Sequence, residues 1–342
     1  METVLTQSAI HSTFHVGELS EIAAARRGAA GMARRLKFDE TRAGRLAIVV
    51  TEAATNIVKH AREGVILLRP IQADGHCGVE VIALDSGPGM ANVDALMADG
   101  TSTAGTYGVG LGAIQRQSDT FDIYSAPGKG TALVMIVWCA DGPVPNTGWE
   151  VGAVCVPIPG EEECGDNWGV SFGRGAISVV VADGLGHGPE AAKASTAAID
   201  VSLAFDKGSP RARMEDAHGA LRGTRGAAAA IADIDAYDGK LRFAGIGNIA
   251  GSIINSGPRR HLLSHNGIVG SNLRKVQEFE QPWDGSSLLI LHSDGINTRW
   301  DLDTYPGLAF HHVALVAAVL YRDFCRGRDD ATVVVIRERA AA

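Results

Sequence analysis

The sequence predicts an α+β protein of two successive domains, each a layered sandwich of sheet and helix. Two observations carry that expectation. The chain's 342 residues are about twice a common domain length. Its texture also changes abruptly across Asp141–Gly148 (DGPVPNTG), where two Pro and two Gly in eight residues read as a linker. Before this stretch, amphipathic helices mix with a few strands. After it, short apolar runs dominate and long helical patterns are few. The expected division is therefore residues 1–140, linker 141–148, and residues 149–342.

In the first part, Leu19–Phe38 and Glu40–Ala61 alternate Ala, Leu, Ile and Val with Arg, Glu and Lys at helical spacing, which predicts two helices. Strand-like runs follow at Val65–Leu68 and Val79–Leu84. A glycine-rich stretch, Gly100–Gly112, leads into a helix over Ala113–Ser118, and strands are expected at Thr120–Ser125 and Thr131–Trp138. In the second part, strands are expected at Trp149–Val156, Trp168–Phe172, Ala176–Ala182, Ala227–Asp235, Lys240–Ile246, Ala250–Asn255, Ser287–Ser293 and Thr332–Arg337. Helices are expected at Pro189–Ala204, Arg211–Arg222 and Phe310–Phe324. Many strands with few helices predict two sheets packed face to face with helices outside.

Composition narrows the function. With 46% hydrophobic and 20% charged residues the chain can bury a core, so disorder is not expected. A net charge of −8 speaks against nucleic acid as a partner, because binding phosphate backbones draws on Lys and Arg. The longest apolar runs, such as Val313–Tyr321, are about half a membrane span, so no membrane is expected. The five cysteines are scattered and form no C-x-x-C pair, so neither a disulfide framework nor a zinc ribbon is expected. A reduced, cytoplasmic protein is the expectation.

Four elements in the first part belong to one chemistry. Glu52 and Asn56 in TEAATNIVKHA lie four apart, which puts both on one helix face. DSGPGM follows a strand-like run and carries Asp85, Gly87 and Gly89. GTYGVGLGAI brings Gly108, Gly110 and Gly112 to a helix start, and APGKGTAL carries Thr131. An Asn oxygen can hold Mg²⁺ and a nearby Glu can accept a hydroxyl proton. An Asp after a strand can accept from an adenine amino group, and glycines at a helix start let backbone N–H groups reach phosphates. In this order the elements resemble the N, G1 and G2 boxes of the GHKL ATPases, with the small anti-sigma serine kinases of the RsbT/RsbW/SpoIIAB type most similar. The resemblance implies a Bergerat α/β sandwich with helices on one face of a mixed sheet. It implies ATP and Mg²⁺ as cofactors, Asn56 as the Mg²⁺ ligand, Glu52 as the catalytic base or its orienter, and Asp85 as the reader of adenine. Gly87 and Gly89 would wall the base, Gly108, Gly110 and Gly112 would close over the phosphates, and Ser102–Thr106 would form a lid.

The second part contains CGDNW (Asp166), VVVADGLGHG (Asp183, Gly184), LLILHSDGIN (Asp294) and RGRDDATVVV (Asp329, Asp330). Two of these run an apolar strand into Asp-Gly, which presents a carboxylate beside a free carbonyl. Carboxylates gathered from distant points suit a hard cation. The ordered set, with GLGHGPEAAKAS and FAGIGNIAG, resembles the metal-dependent type-2C Ser/Thr phosphatases of the SpoIIE/RsbU/RsbX branch. That resemblance implies an α-β-β-α sandwich and two Mn²⁺ or Mg²⁺ ions. Asp183 would bridge them with help from the Gly184 carbonyl, Asp294 and Asp329 would complete the second ion, and Asp166 would act from the first motif, through water.

Together the two resemblances imply a bifunctional switch: a serine/threonine kinase and a phosphoserine/phosphothreonine phosphatase sharing a STAS-domain anti-sigma antagonist or stressosome scaffold as partner. A sigma or anti-sigma factor is the further partner they imply. The alternative is a phosphatase whose ATP-binding domain serves only as a binding module.

Overall fold

The computed structural model describes the chain except residues 1–2, 6–9, 74–75, 94–106, 143–145, 204–207, 274 and 340–342. It divides into two compact units that are not contiguous in sequence. One contains His11–Pro145 with Asp301–Arg322; the other contains Met1–Ile10, Asn146–Trp300 and Asp323–Ala342.

In the first of these, α1 (Leu19–Arg35) and α2 (Glu40–His60) form an antiparallel pair. The first ends earlier than its apolar pattern suggests, because Lys37 takes a left-handed conformation (φ 58°) and Phe38 N–H turns back to the Ala33 carbonyl. Asp39 then caps α2 by accepting from Arg42 N–H at 2.8 Å. Strands β2 (Ser12–Val16), β3 (Gly64–Ala73), β4 (His76–Asp85), β5 (Thr120–Ser125) and β6 (Thr131–Trp138) form one sheet in the order β2-β3-β4-β6-β5. Every pairing is antiparallel, where a mixed sheet was expected. One sheet face meets α1, α2 and α3 (Tyr107–Gln117) in a core that includes Leu46, Val50, Ile66, Val81, Ile114 and Met135.

The opposite face of this sheet is also apolar and buried, through Leu67, Ile82, Leu84, Ala132 and Val134. Residues 301–322 attach on this side of the unit. The His311 ring is 3.0 Å from Asp122 Oδ1, and His312 N–H donates to Asp122 Oδ2 at 2.7 Å. Tyr305 meets the edge of Tyr124, and the Lys129 ammonium stands 4.7 Å from the Tyr305 ring centre. Helix α6 (Val313–Phe324) is buried at every position from Val313 to Leu320. A helix apolar all round has no solvent face. The segment that the sequence pattern assigns to the second domain thus groups with the first.

The other unit stacks two sheets. Strands β1 (Thr3–Leu5), β8 (Asp166–Gly173), β9 (Ala176–Gly184), β10 (Ala227–Asp235), β11 (Lys240–Ile246) and β14 (Ser264–His265) form the larger, with β15 (Phe279–Pro282) also on β11. The smaller has the order β13-β12-β16-β17-β7, from Arg260–Leu262, Ala250–Ile254, Leu288–His292, Ala331–Glu338 and Trp149–Val156. Their inner faces share a core of Trp149, Trp168, Val179, Phe243, Leu289 and Val334. Helices α4 (Pro189–Ser202) and α5 (Pro210–Ala220) pack through Ala198, Ile199 and Met214 on the outer face of the larger sheet. Here too the first ten residues leave the expected domain: β1 pairs with β8, Thr3 opposite Phe172.

One cysteine expectation is overturned. Cys77 and Cys139 form a disulfide, with Cα atoms 5.6 Å apart. The β4–β6 ladder brings them together, and Cys139 N–H donates to the Cys77 carbonyl at 2.8 Å. A separation of 62 residues leaves no local signal of the pair.

Candidate functional site

The nucleotide motifs converge on one pocket, lined from α2, the end of β4 and the loop after it, α3 and β6. Ala53, Ile57, Met90, Leu111 and Leu133 give it apolar walls; Asn56, His60, Asp85 and Thr131 supply polar groups. Asn56 and Glu52 lie on one face of α2, and Gly110 of α3 packs directly against both. A Cβ at Gly110 would sit 3.1 Å from Asn56 Oδ1 and 3.3 Å from Glu52 Oε2, so a side chain there would have to push both groups aside by a few tenths of an ångström.

Asp85 ends β4, and its Oδ1 accepts from Gly87 N–H at 2.8 Å and Thr131 N–H at 3.2 Å. Burial pushes this carboxyl above its ordinary range, while those two N–H groups, Arg322 and His60 pull it back. Gly89 has φ 68°, and a Cβ there would lie 2.0 Å from the Ala126 carbonyl oxygen. Gly87 packs on Ala61, while Gly108 and Gly112 belong to α3. The expected lid, Ser102–Thr106, lies outside the described residues.

The acidic motifs of the other unit also meet. Asp166 and Asp183 are direct partners across β8 and β9. Asp183 is pushed up to about 7, first by burial and then by the charges of Asp294 and Asp329, with Asn248 opposing. Asp166, wholly buried, is raised well above the carboxylate range by burial and then by Asp183. Asp329 is raised chiefly by burial. Gly184 fits tightly against α4, where a Cβ would lie 2.1 Å from the Ala191 carbonyl oxygen. Like charges crowded around Asp183 favour a cation. Asp166 Oδ2 is buried with no hydrogen-bond partner, so this donor set suits a hard divalent ion. Among the described residues no three acidic, His or Cys side chains are already drawn to coordination spacing. Asp294 Oδ2 instead accepts from Asn248 Nδ2 at 2.7 Å.

Three residues outside the expected set shape these sites. Asn248 holds Asp294, and its place in FAGIGNIAG was the available signal. Asp330 is buried and accepts from Ile158 N–H at 2.7 Å and Gly165 N–H at 2.8 Å, clamping the loop before Asp166. Arg322 donates from Nη1 to the Asp85 carbonyl at 3.0 Å. Of the two histidines in the acidic motifs, His187 pairs with Glu161 at 2.7 Å. His292 is buried and held neutral down to about 4, with Trp300 Nε1–H donating to its Nε2 at 3.2 Å.

These folds and clusters define a class: a GHKL-type ATPase domain joined in one chain to a type-2C phosphatase domain. The histidine kinase-like ATPase domain family matches residues 16–137, and the stage II sporulation protein E (SpoIIE) family matches residues 173–339. The first part belongs to the histidine kinase-like ATPase domain family, and residues 173–339 are similar to the SpoIIE family. The serine/threonine-protein kinase RsbT of Bacillus subtilis (strain 168) is 35% identical over 118 residues, spanning 34% of this chain and 89% of that protein. The phosphoserine phosphatase RsbX of the same organism is 26% identical over 139 residues, spanning 40% of this chain and 70% of that protein. A solved structure described with the bacterial stressosome, a modular system adapted to control secondary messenger signaling, superposes with a TM-score of 0.52 at 32% identity. It covers 55% of this chain and 99% of that one. No helix among the described residues is long and apolar enough to cross a membrane.

Proposed function

We propose that the chain is a cytoplasmic bifunctional switch. One unit transfers the γ-phosphoryl group of ATP to a Ser or Thr hydroxyl of a STAS-domain antagonist or stressosome scaffold. The other removes such a group with two Mn²⁺ or Mg²⁺ ions. The observation that carries this reading is the buried carboxylate group around Asp183, with Asp166 Oδ2 unpartnered, in one chain with the Glu52–Asn56–Gly110 cluster.

In the kinase step, Asp85 accepts from the adenine amino group through the oxygen that Gly87 and Thr131 do not occupy, and Gly89 lets the wall close over the base. Asn56 would hold the Mg²⁺ that accompanies ATP. Gly108 and Gly110 lie in the first turn of α3, whose free backbone N–H groups take the phosphates, and Gly112 follows just inside the helix. Glu52 accepts the proton of the attacking hydroxyl as the bond to the γ-phosphorus forms and the bond to ADP breaks.

In the phosphatase step, Asp183, the Gly184 carbonyl, Asp294, Asp329 and Asp166 would hold the ions. Bound there, two divalent ions make water nucleophilic at neutral pH and neutralise phosphoryl oxygens. Asn248 orients Asp294, and Asp330 fixes the approach of the Asp166 loop. Carrying both sites on one chain raises the effective concentration of each around a shared partner.

The test incubates labelled ATP with a STAS partner and the full chain, with and without Glu52→Ala, then adds Mn²⁺ after ATP is removed. Label that appears only with the unsubstituted chain, and is lost with Mn²⁺ unless Asp183→Asn is present, supports the reading. Label no higher than the Glu52→Ala background leaves the alternative, a phosphatase with an ATP-binding module. Mn²⁺-dependent hydrolysis of p-nitrophenyl phosphate that survives Asp183→Asn would falsify the metal assignment.

A further inference from the structure

Arg322 is the last residue of the segment that leaves the phosphatase sequence after Trp300 and joins the nucleotide-binding unit. It is half-buried, and its Nη1 donates to the Asp85 main-chain carbonyl at 3.0 Å. That carbonyl is pressed from another direction by the GKGT turn, since a Cβ at Gly130 would stand 2.1 Å from the same oxygen. Next to it, Asp85 Oδ1 is fixed by Gly87 and Thr131. The peptide that aims the carboxylate is thus gripped on several sides, and one grip comes from the far part of the chain.

We propose that Arg322 is a positioning residue of the nucleotide pocket, holding Asp85 aimed and ionised so that it receives the exocyclic amino group of adenine. This rests on the reading of the cavity as an ATP site. The chemistry follows from what a carboxyl can do. Ionised, it only accepts, which matches an amino group; protonated, it also donates, which matches the carbonyl of a 6-oxopurine. The charged groups facing Asp85 are Arg322 from α6 and His60 from α2, while the loop after β4 and the start of β6 face it with N–H groups. Arg322 favours the ionised form against burial, and His60 adds to this only when protonated, which burial and Lys59 disfavour, so without Arg322 a lower proton concentration is needed to ionise Asp85.

The segment has independent anchors at His311, His312 and Tyr305, so replacing Arg322 alone does not remove its attachment. Binding of Mg-ATP and Mg-ITP to the full chain is measured by calorimetry from pH 5.5 to 8.5 for the unsubstituted protein, Arg322→Met and Arg322→Lys. Losing a hydrogen bond from a charged donor is expected to weaken ATP about tenfold. ITP should weaken less. The acid-side loss of ATP affinity should move to higher pH in Arg322→Met, and Arg322→Lys should return it toward the unsubstituted profile.

Equal weakening of ATP and ITP with an unmoved pH profile would mean that Arg322 only braces the fold, and would overturn the proposal. So would unchanged ATP affinity. An unsubstituted chain that binds no ATP would overturn the nucleotide reading as well, which separates the two failures. Circular dichroism checks each variant; if Arg322→Met does not fold, Arg322→Gln, which keeps a donor without the charge, decides on the same readouts.

Discussion

Asp183 gives the sharpest quantitative test of the acidic site. Its carboxyl moves from 3.8 to about 7 on folding, mainly through burial. Each tenfold change in proton affinity is about 1.4 kcal/mol, so three such factors make ionised Asp183 cost the metal-free fold about 4 kcal/mol. Because the charges of Asp294 and Asp329 supply part of that shift, an effect of about 2–4 kcal/mol is expected. The direction is opposite to that of a salt-bridged carboxylate. Between pH 3.8 and about 7 the native state keeps a proton that the unfolded chain has released, so stability falls as pH rises through this window and levels off above it. Asp183→Asn has no such proton to lose. In EDTA, urea unfolding should show the variant matching the unsubstituted chain near pH 4 and exceeding it by about 2–4 kcal/mol at pH 8. Saturating Mn²⁺ should reverse the order, because only the unsubstituted chain gains binding energy. Parallel stability curves from pH 4 to 8, or equal stabilisation of both proteins by Mn²⁺, would refute the reasoning.

Three further outcomes are expected. Asp330→Ala removes the acceptor of two buried N–H groups, Ile158 and Gly165, and should lower urea stability by about 2–4 kcal/mol while weakening Mn²⁺ affinity through the loosened Asp166 loop. Gly184→Ala drives a methyl into the Ala191 carbonyl and should cost about 1–3 kcal/mol in the same assay, with phosphatase turnover falling alongside. Reducing the Cys77–Cys139 bond frees a 62-residue loop and should lower the urea midpoint of the nucleotide-binding unit, by about 4 kcal/mol on the chain-entropy estimate; an unchanged midpoint under reductant would show that the bond carries no stability.

What could be read from sequence was what is local. An apolar strand running into Asp183-Gly184 or Asp294-Gly295 carries its own signature, because the strand, the carboxylate and the tight glycine are neighbours in the chain. Glu52 and Asn56 are likewise legible, since helical spacing alone puts them on one face. Their convergence with Gly110, and of Asp166 with Asp183, depended on recognising an ordered set. Asp330 shows the limit: it looked like a spare acid beside Asp329, and its role lies in hydrogen bonds to Gly165, 165 positions away. Asp122 and His311 are 189 apart, so nothing in either neighbourhood announces their pairing. One signal was available for that excursion. Val313–Leu320 has no polar stripe, and a helix without one must be covered all round.

The excursion of residues 301–322 has a consequence for how such a chain is made and how it can change. As the chain leaves the ribosome, the nucleotide pocket is still missing Arg322 after residue 145 has emerged; nearly every phosphatase strand is synthesised before that side chain arrives. Early release at the linker would therefore yield an unfinished ATP-binding unit rather than a free domain. Recombination faces the same constraint. Neither part can be exchanged as a cassette by one crossover near residue 145, because a transplanted phosphatase would have to bring a matching 301–322 segment for a host it had never met. The two parts are bound to be inherited together.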